Sequence, residues 1–154
     1  MQFSIKAAEL GDIAEIAKLF DAYRVFYQQD SDLPSAEIYL KTRFQNHESQ
    51  IFWAQDEAGR GLGFVQLYPS FSSVSMQRLW ILNDLFVSQS ARKKGVGEAL
   101  MERAKLMAID TGAKGLQLET GQDNHNAQAL YEKLGYVKSE DYFVYYLSTP
   151  KKPA

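Results

Sequence analysis

The sequence predicts an α/β chain built on a mixed sheet, and three patterns carry that expectation. Short runs with apolar residues at every second position mark strands, several of them joined by tight polar turns. Longer stretches with apolar residues three and four apart mark helices. In the second half the order strand, helix, strand, helix implies a right-handed βαβ crossover, and therefore a sheet that is not purely antiparallel.

Taken in order, residues 2–7 (QFSIKA) alternate Phe3, Ile5 and Ala7 with polar neighbours and predict a strand. Asp12 stands where it would cap a helix that gathers Ile13, Ile16, Phe20 and Tyr23 on one face and ends near Gln29. Pro34, tolerated in a first turn, opens a second helix to Asn46 with Ile38, Leu40 and Phe44 as its apolar contacts. Residues 50–56 and 61–69 predict a hairpin around Glu57–Arg60, followed by a serine-rich loop, PSFSSVSMQR. LWILNDLFV (79–87) is the most strand-like run, too apolar to have one face in water. Val96, Ala99, Leu100, Ala104, Met107 and Ala108 then form a helical stripe to about Asp110, closed by Gly112. GLQLET (115–120) is a short strand, and GQDNHN leads into a helix bearing Ala127, Leu130, Tyr131 and Leu134 on one face. Gly135 ends it as a left-handed residue, and YFVYYLS (142–148) predicts a final strand. One domain over 1–149 with a frayed tail at 150–154 accommodates all of this.

Composition narrows the chemistry. The 154 residues carry a net charge of −2, which gives no electrostatic reason for binding nucleic acid or an anionic membrane. There is no cysteine, hence no disulfide framework, thiolate nucleophile or cysteine zinc site, and two histidines do not make a metal centre. No stretch approaches the roughly 18 apolar residues of a membrane span, and the first residues do not read as a signal peptide. A cytoplasmic enzyme without a metal is the expectation, with a homodimer left open.

The informative segment is LFVSQSARKKGVGEAL: an apolar strand, a polar turn, then Arg92-x-x-Gly95-x-Gly97 opening a helix. Glycines let backbone N–H groups approach an anion, and the helix start adds partial positive charge. Arg92, Lys93 and Lys94 supply mobile cations beside it, so a diphosphate suits the site. A Walker A loop is excluded because no Gly-Lys-Ser/Thr closes the segment. A dinucleotide fingerprint is excluded because no third Gly or Ala stands where it is needed. The bland alternative is a basic, glycine-capped helix start.

This arrangement resembles the GNAT superfamily of N-acetyltransferases, whose pyrophosphate loop is Arg/Gln-x-x-Gly-x-Gly/Ala after an apolar strand end such as Val87. A second signature of that family, Asn-x-x-Ala-x-x-Leu-Tyr-x-x-x-Gly-Phe/Tyr, matches Asn124, Ala127, Leu130, Tyr131, Gly135 and Tyr136, in the right order along the chain. The resemblance is nearest in character to the small-molecule amine acetyltransferases. It implies a mostly antiparallel mixed sheet with a central splayed strand pair and helices on both faces. It also implies acetyl-CoA as cosubstrate, met by the strand end Leu85, Phe86 and Val87. The Val87 N–H would polarise the thioester carbonyl, and the loop from Arg92 through Lys93, Lys94, Gly95, Val96 and Gly97 to Glu98 would hold the pyrophosphate. Asn124 and Ala127 would lie at the cosubstrate, although Asn124 serves equally well as a helix cap.

On the same resemblance Tyr131 protonates the departing thiolate. A phenol near pKa 10 stays protonated at neutral pH yet can share its proton with a thiol near 8.5. Direct attack by a neutral amine is the simplest mechanism, since no nucleophile for an acyl-enzyme is evident. Asp84, alone in an apolar strand, is the first candidate base or amine anchor, because an unpaired carboxylate there is costly. Polyamine-acetylating relatives carry an acid at that position, but Asn83 replaces their second one. Glu119, at the end of the neighbouring strand, is the alternative base, or else a solvated strand end. Tyr23, Phe26, Tyr27, Tyr68, Phe71 and Trp80 would form an aromatic wall near Asp30, Asp32 and Glu37, suited to a cationic amine, unless they are ordinary core and surface. Acetylation of a protein N-terminus or lysine is a second reading. A non-catalytic acyl-CoA-binding module is a third, and Tyr131 speaks against it.

Overall fold

The computed structural model describes residues 2–153. The chain divides into two compact units, one ending at Glu119 and the other starting at Thr120.

In the first unit, β1 (Phe3–Ala7), β2 (Gln50–Asp56), β3 (Gly61–Ser72) and β4 (Gln77–Val87) pair antiparallel in sequence order. A fifth strand, β5 (Leu116–Gln117), joins β4 in parallel, giving the sheet order β1-β2-β3-β4-β5. Helices α1 (Ile13–Phe26) and α2 (Leu33–Gln45) cover one face of this sheet, and α3 (Val96–Asp110) covers the other. The division follows from strand alternation. Ile51 and Trp53 of β2 join Ile16, Phe20 and Leu40 in one core. Phe52, between them, lies under the Arg103 guanidinium of α3 at 4.4 Å from its ring centroid. The α3 stripe buries Val96, Leu100, Met101, Ala104, Met107 and Ala108, with Met101 in the place expected for Ala99.

Two features of β4 set up the site. Its pairing with β5 is confined to Trp80↔Leu116 and Ile81↔Gln117, so from Leu82 to Val87 no strand among the described residues pairs on that side. This is the splayed opening in the sheet. The β3–β4 register also shifts: Gln66 pairs Asp84 while Leu67 pairs Leu82, leaving Asn83 as an extra, bulged residue. Before the bulge, Trp80 faces α3 and donates from Nε1 to Thr111 Oγ1 at 2.9 Å. After it, Phe86 faces α1 and packs against Tyr23 at 6.0 Å between centroids. The bulge thereby turns Asp84 onto the α1–α2 face.

Local differences from the sequence reading have physical causes. Asp12 occupies the position before α1, but its carboxylate accepts backwards from the Glu9 N–H at 2.9 Å and pairs with Lys6 at 3.2 Å. Helix α1 ends at Phe26 rather than Gln29, since Gln28 takes a left-handed φ of 66°. The serine-rich segment is mostly ladder and not loop: Ser70, Phe71 and Ser72 pair Leu79, Arg78 and Gln77, and only residues 73–76 turn. The Arg78 guanidinium lies 5.2 Å from the centroids of both Phe71 and Trp80, a cross-strand contact that favours the longer hairpin. Of the strand expected over 115–120, only Leu116 and Gln117 are paired.

Among its described residues the second unit contains one helix, α4 (His125–Lys133), closed by Gly135 at a φ of 96°. The strand expected over 142–148 is not formed there: these residues have no regular structure and are exposed. A strand exists only through pairing, and no strand of the chain pairs with this one among the described residues. Residue 154, the last of the predicted tail, and residue 1 lie outside the described residues. Among those described, no helix is long and apolar enough to cross a membrane.

Candidate active site

The turn after β4 is built to present backbone N–H groups. Ser88 N–H donates to Leu62 O at 2.8 Å, anchoring the end of the strand, and a single 3-10 turn over Gln89–Ala91 follows. Lys93 and Gly95 then adopt left-handed φ angles of 62° and 84°. Gly95 can do so without strain; Lys93 does so as a non-glycine residue, a conformation that recurs at ligand-binding turns. Helix α3 starts directly after Gly95, and its first intrahelical bond runs from Ala99 N–H to Gly95 O. The N–H groups of Val96, Gly97 and Glu98 therefore precede the helical ladder and are available to an anion. Of the three basic side chains expected to be mobile, two are held. Arg92 Nε donates to Val87 O at 3.1 Å, with its guanidinium 5.5 Å from the Phe26 centroid and 5.9 Å from that of Phe86. Lys94 Nζ donates to Ser90 O at 3.1 Å. Arg92 fastens the turn to the strand end as well as lending it charge.

The strand end itself is gripped from β3. Gly63 pairs with Val87, and a Cβ added to Gly63 would stand 2.7 Å from Phe86 O and 3.2 Å from Val87 Cα. Upstream, Asp84 is 5% exposed and held by several donors. Gln66 Nε2 donates to Oδ2 at 2.7 Å, Asn83 Nδ2 donates to Oδ1 at 3.1 Å, and the Tyr23 hydroxyl adds a third bond. Burial nevertheless dominates and raises the Asp84 pKa above the ordinary carboxylate value, while these bonds pull it down. Gln66 is fixed in turn by Ser49 Oγ, which donates to its Oε1 at 2.7 Å. Tyr68 shares a 2.8 Å hydrogen bond with Tyr39, and burial, that bond and the nearby Asp84 charge all raise its pKa.

In the second unit, Asn124 settles as a helix cap: its Oδ1 accepts from the Ala127 N–H at 3.3 Å. Tyr131 lies about two turns further along α4, half-buried, with the Tyr136 ring 6.0 Å away. Gly135 N–H and Tyr136 N–H bond back to Glu132 O and Tyr131 O, which closes the helix as its sequence predicts. The Asn124-to-Tyr136 signature is thus one local unit of cap, helix and left-handed stop.

The family model for the acetyltransferase (GNAT) family matches residues 14–136, spanning both signatures. The chain belongs to the GNAT family. It is 50% identical to the uncharacterised N-acetyltransferase YhfO of Bacillus subtilis (strain 168), across 97% of this chain and 99% of that one. It is 30% identical to the D-amino-acid N-acetyltransferase HPA3 of Saccharomyces cerevisiae, across 86% and 83% of the two. A crystal structure of a probable acetyltransferase, 40% identical, superposes with a TM-score of 0.91 across 97% of this chain and 99% of that one. The protein is an N-acetyltransferase, and GNAT enzymes generally draw the acetyl group from acetyl-CoA.

Within this GNAT fold the aromatic wall expected from the sequence divides. Tyr23, Phe26 and Tyr27 cluster with Phe86 beside the end of β4. Tyr68 belongs to a second group with Tyr39 of α2. Trp80 faces α3, on the opposite side of the sheet, and Phe71 is exposed on the hairpin. Asp32 caps α2 by accepting from Ser35 N–H at 3.2 Å, and Asp30 takes part through its carbonyl, which accepts from Arg24. Glu119 is exposed beyond the end of β5. Sequence reasoning passed over Gln66 and Gly63, although a polar residue in FVQLY and a glycine inside a strand are both signals. It also missed Tyr39 and Arg43, which line a concavity of about 360 Å³ with His47, Glu48, Tyr68 and Pro69. Nothing in a helix heptad marks those two in advance.

Proposed function

We propose that this enzyme transfers the acetyl group of acetyl-CoA to the primary amine of a small amino-acid-like molecule, its two units acting together as one catalytic domain over residues 1–149 in the cytoplasm. The observation that carries this reading is the buried Asp84 carboxylate, turned by the Asn83 bulge onto the α1–α2 face beside Tyr23 and Tyr68. An ammonium group finds its counter-charge there, with the Tyr23, Phe26 and Tyr27 rings beside it. The carboxylate of an amino acid would find its own at Arg43, whose Nε is buried without a hydrogen bond, in competition with Glu48, which pairs with it at 3.6 Å. The relationship to a D-amino-acid N-acetyltransferase supports the same acceptor class.

In this mechanism the ammonium gives up a proton along Asp84, and the neutral amine attacks the thioester carbonyl directly. The Val87 N–H stabilises the oxyanion, the C–S bond breaks as the nitrogen loses its second proton to solvent, and the thiolate takes a proton from Tyr131, which solvent then restores. N-acetylated product and free CoA leave. Because the chain has no cysteine, thiol release from acetyl-CoA can be read without background from the protein. A panel of D- and L-amino acids, polyamines, aminoglycosides and peptide N-termini tests the reading. Turnover with amino acids that fails when the carboxylate is amidated supports it; preference for polyamines or peptides overturns it.

A further inference from the structure

Helix α2 ends in a turn whose backbone and residues do not match. The Glu48 N–H donates to Arg43 O at 2.9 Å and the His47 N–H to Phe44 O at 3.2 Å, with His47 at a left-handed φ of 55°. These two bonds belong to a helix stop that usually has glycine at the left-handed position and an apolar contact between the residues at its ends. Here histidine takes the glycine position and the contact is ionic, Glu48 Oε1 standing 3.6 Å from Arg43 Nε. Non-glycine residues keep such a conformation where the surrounding structure over-determines it, and they cluster at ligand sites. The turn folds an acid back onto the guanidinium that lines the concavity with Tyr39, His47 and Tyr68.

The contact is loose. At 3.6 Å it is too long for a hydrogen bond, and Arg43 Nε stays buried without one. The two side chains are 29% and 49% exposed, which places the pair among surface ion pairs that cost little to open. Arg43 does not depend on Glu48 for its position, since its guanidinium lies 5.1 Å from the Tyr39 ring centroid. Tyr39 in turn bonds Tyr68 at 2.8 Å, and Tyr68 lies within reach of the Asp84 charge. A placed guanidinium with a bond still to make and a movable carboxylate beside it are the parts of an exchangeable carboxylate site.

We propose, taking the acceptor to be an amino acid, that Glu48 is a specificity residue that occupies the Arg43 site in the free enzyme and gives way to the acceptor's carboxylate. A carboxylic acid without an amine gains too little to displace it, whereas an amino acid adds the contact with Asp84. The test compares Glu48→Gln and Arg43→Gln, singly and together, on three matched probes. These are the amino acid acetylated fastest, its amide, and the same acid without its amine (for phenylalanine, phenylalanine amide and hydrocinnamate). Glu48→Gln should keep Tm and kcat near wild type, lower KM for the amino acid roughly two- to fivefold, and leave the low kcat/KM for the amide unchanged. The amine-free acid should inhibit Glu48→Gln at roughly two- to fivefold lower concentration than it inhibits the wild type. Arg43→Gln should raise KM for the amino acid, and adding Glu48→Gln to it should change nothing further, the non-additivity of a shared contact. An unchanged KM in Glu48→Gln, with Arg43→Gln still raising it, overturns the role of Glu48 and leaves the amino-acid acceptor standing. Equal gains for the acid and the amide overturn it as well, because the carboxylate is then not what Glu48 opposes. Indifference of the amino acid to both Arg43→Gln and amidation removes the acceptor itself, and the role of Glu48 with it. Should Arg43→Gln fail to fold, the acid and amide comparison in Glu48→Gln decides alone.

Discussion

Gln66 reaches across the β3–β4 ladder and donates its side-chain amide to the Asp84 carboxylate at 2.7 Å, both residues buried. Ser49 orients Gln66 from behind, so the amide nitrogen, and not its oxygen, faces the acid. With Asn83 and Tyr23 also donating, Asp84 is a fixed acceptor that can hold a charge inside the protein.

Asp84→Asn therefore removes more than a charge. Asparagine offers one acceptor oxygen where the carboxylate offers two, so at least one of the donors now faces an amide N–H. The expected loss of stability is about 1–3 kcal/mol, read as a lowered Tm. If Asp84 holds the ammonium, KM for the amine rises; if it also carries the proton, kcat falls. A combined kcat/KM loss of roughly tenfold or more corresponds to about 1.4 kcal/mol of transition-state stabilisation. A destabilised Asp84→Asn enzyme with wild-type kinetics assigns the residue to structure alone.

The same carboxylate sets a pH dependence. Because burial raises its pKa in the folded state, the native protein binds this proton more tightly than the unfolded chain does. Its contribution to stability is complete below the ordinary carboxylate value and is lost as pH rises through the raised, folded value. If Asp84 anchors the ammonium, activity runs the other way, since that role needs the ionised form. The acidic limb of kcat/KM should lie above the usual aspartate range and disappear in Asp84→Asn. An acidic limb that is unchanged in the variant belongs to another group.

Gly63→Ala tests the grip on the strand end. The new Cβ meets Phe86 O at 2.7 Å, and backbone, unlike a flexible side chain, cannot step aside. The variant should shift Val87 by forcing β3 and β4 apart, at about 1–3 kcal/mol in stability as for other overpacked sites. Acetyl-CoA should then raise its Tm less than it does for the wild type. Gly63→Ala that retains both wild-type Tm and wild-type ligand shift would show that the strands yield there without consequence.

What the sequence made legible is what local rules govern. The α1 and α3 stripes, the Gly95 and Gly135 left-handed positions and the Asn124 cap each depend on neighbours within one turn. The Asn83 bulge depends on register with β3, on the far side of the hairpin turn, and no spacing along β4 announces it. Asp84 was visible as an anomaly, but its partners Gln66 and Tyr23 come from β3 and α1 and become neighbours only in the fold. The 70–72 segment reads as loop because serine favours turns, whereas in the fold it pairs with residues 77–79 and places Phe71 against Arg78 across the ladder. Residues 142–148 have strand composition, but among the described residues no strand pairs with them, and composition cannot supply a partner.

Tyr131→Phe addresses the departing thiolate. The substitution keeps the ring, and with it the packing at 6.0 Å against Tyr136, so the Tm and the acetyl-CoA-induced Tm shift should stay near wild type. Only the hydroxyl group is removed, and with it the proton it could donate. If that proton goes to sulfur as the C–S bond breaks, turnover should fall by roughly 10²–10⁴-fold, the usual contribution of a positioned general acid. The thiolate is itself a fair leaving group, so the loss should be smallest at high pH, where protonation of sulfur matters least. Acyl donors with a more acidic thiol should narrow the gap between variant and wild type for the same reason. A rate that drops equally for every donor would point to a positioning role for the hydroxyl, and an unaltered rate under chemistry-limited conditions would remove Tyr131 from the reaction.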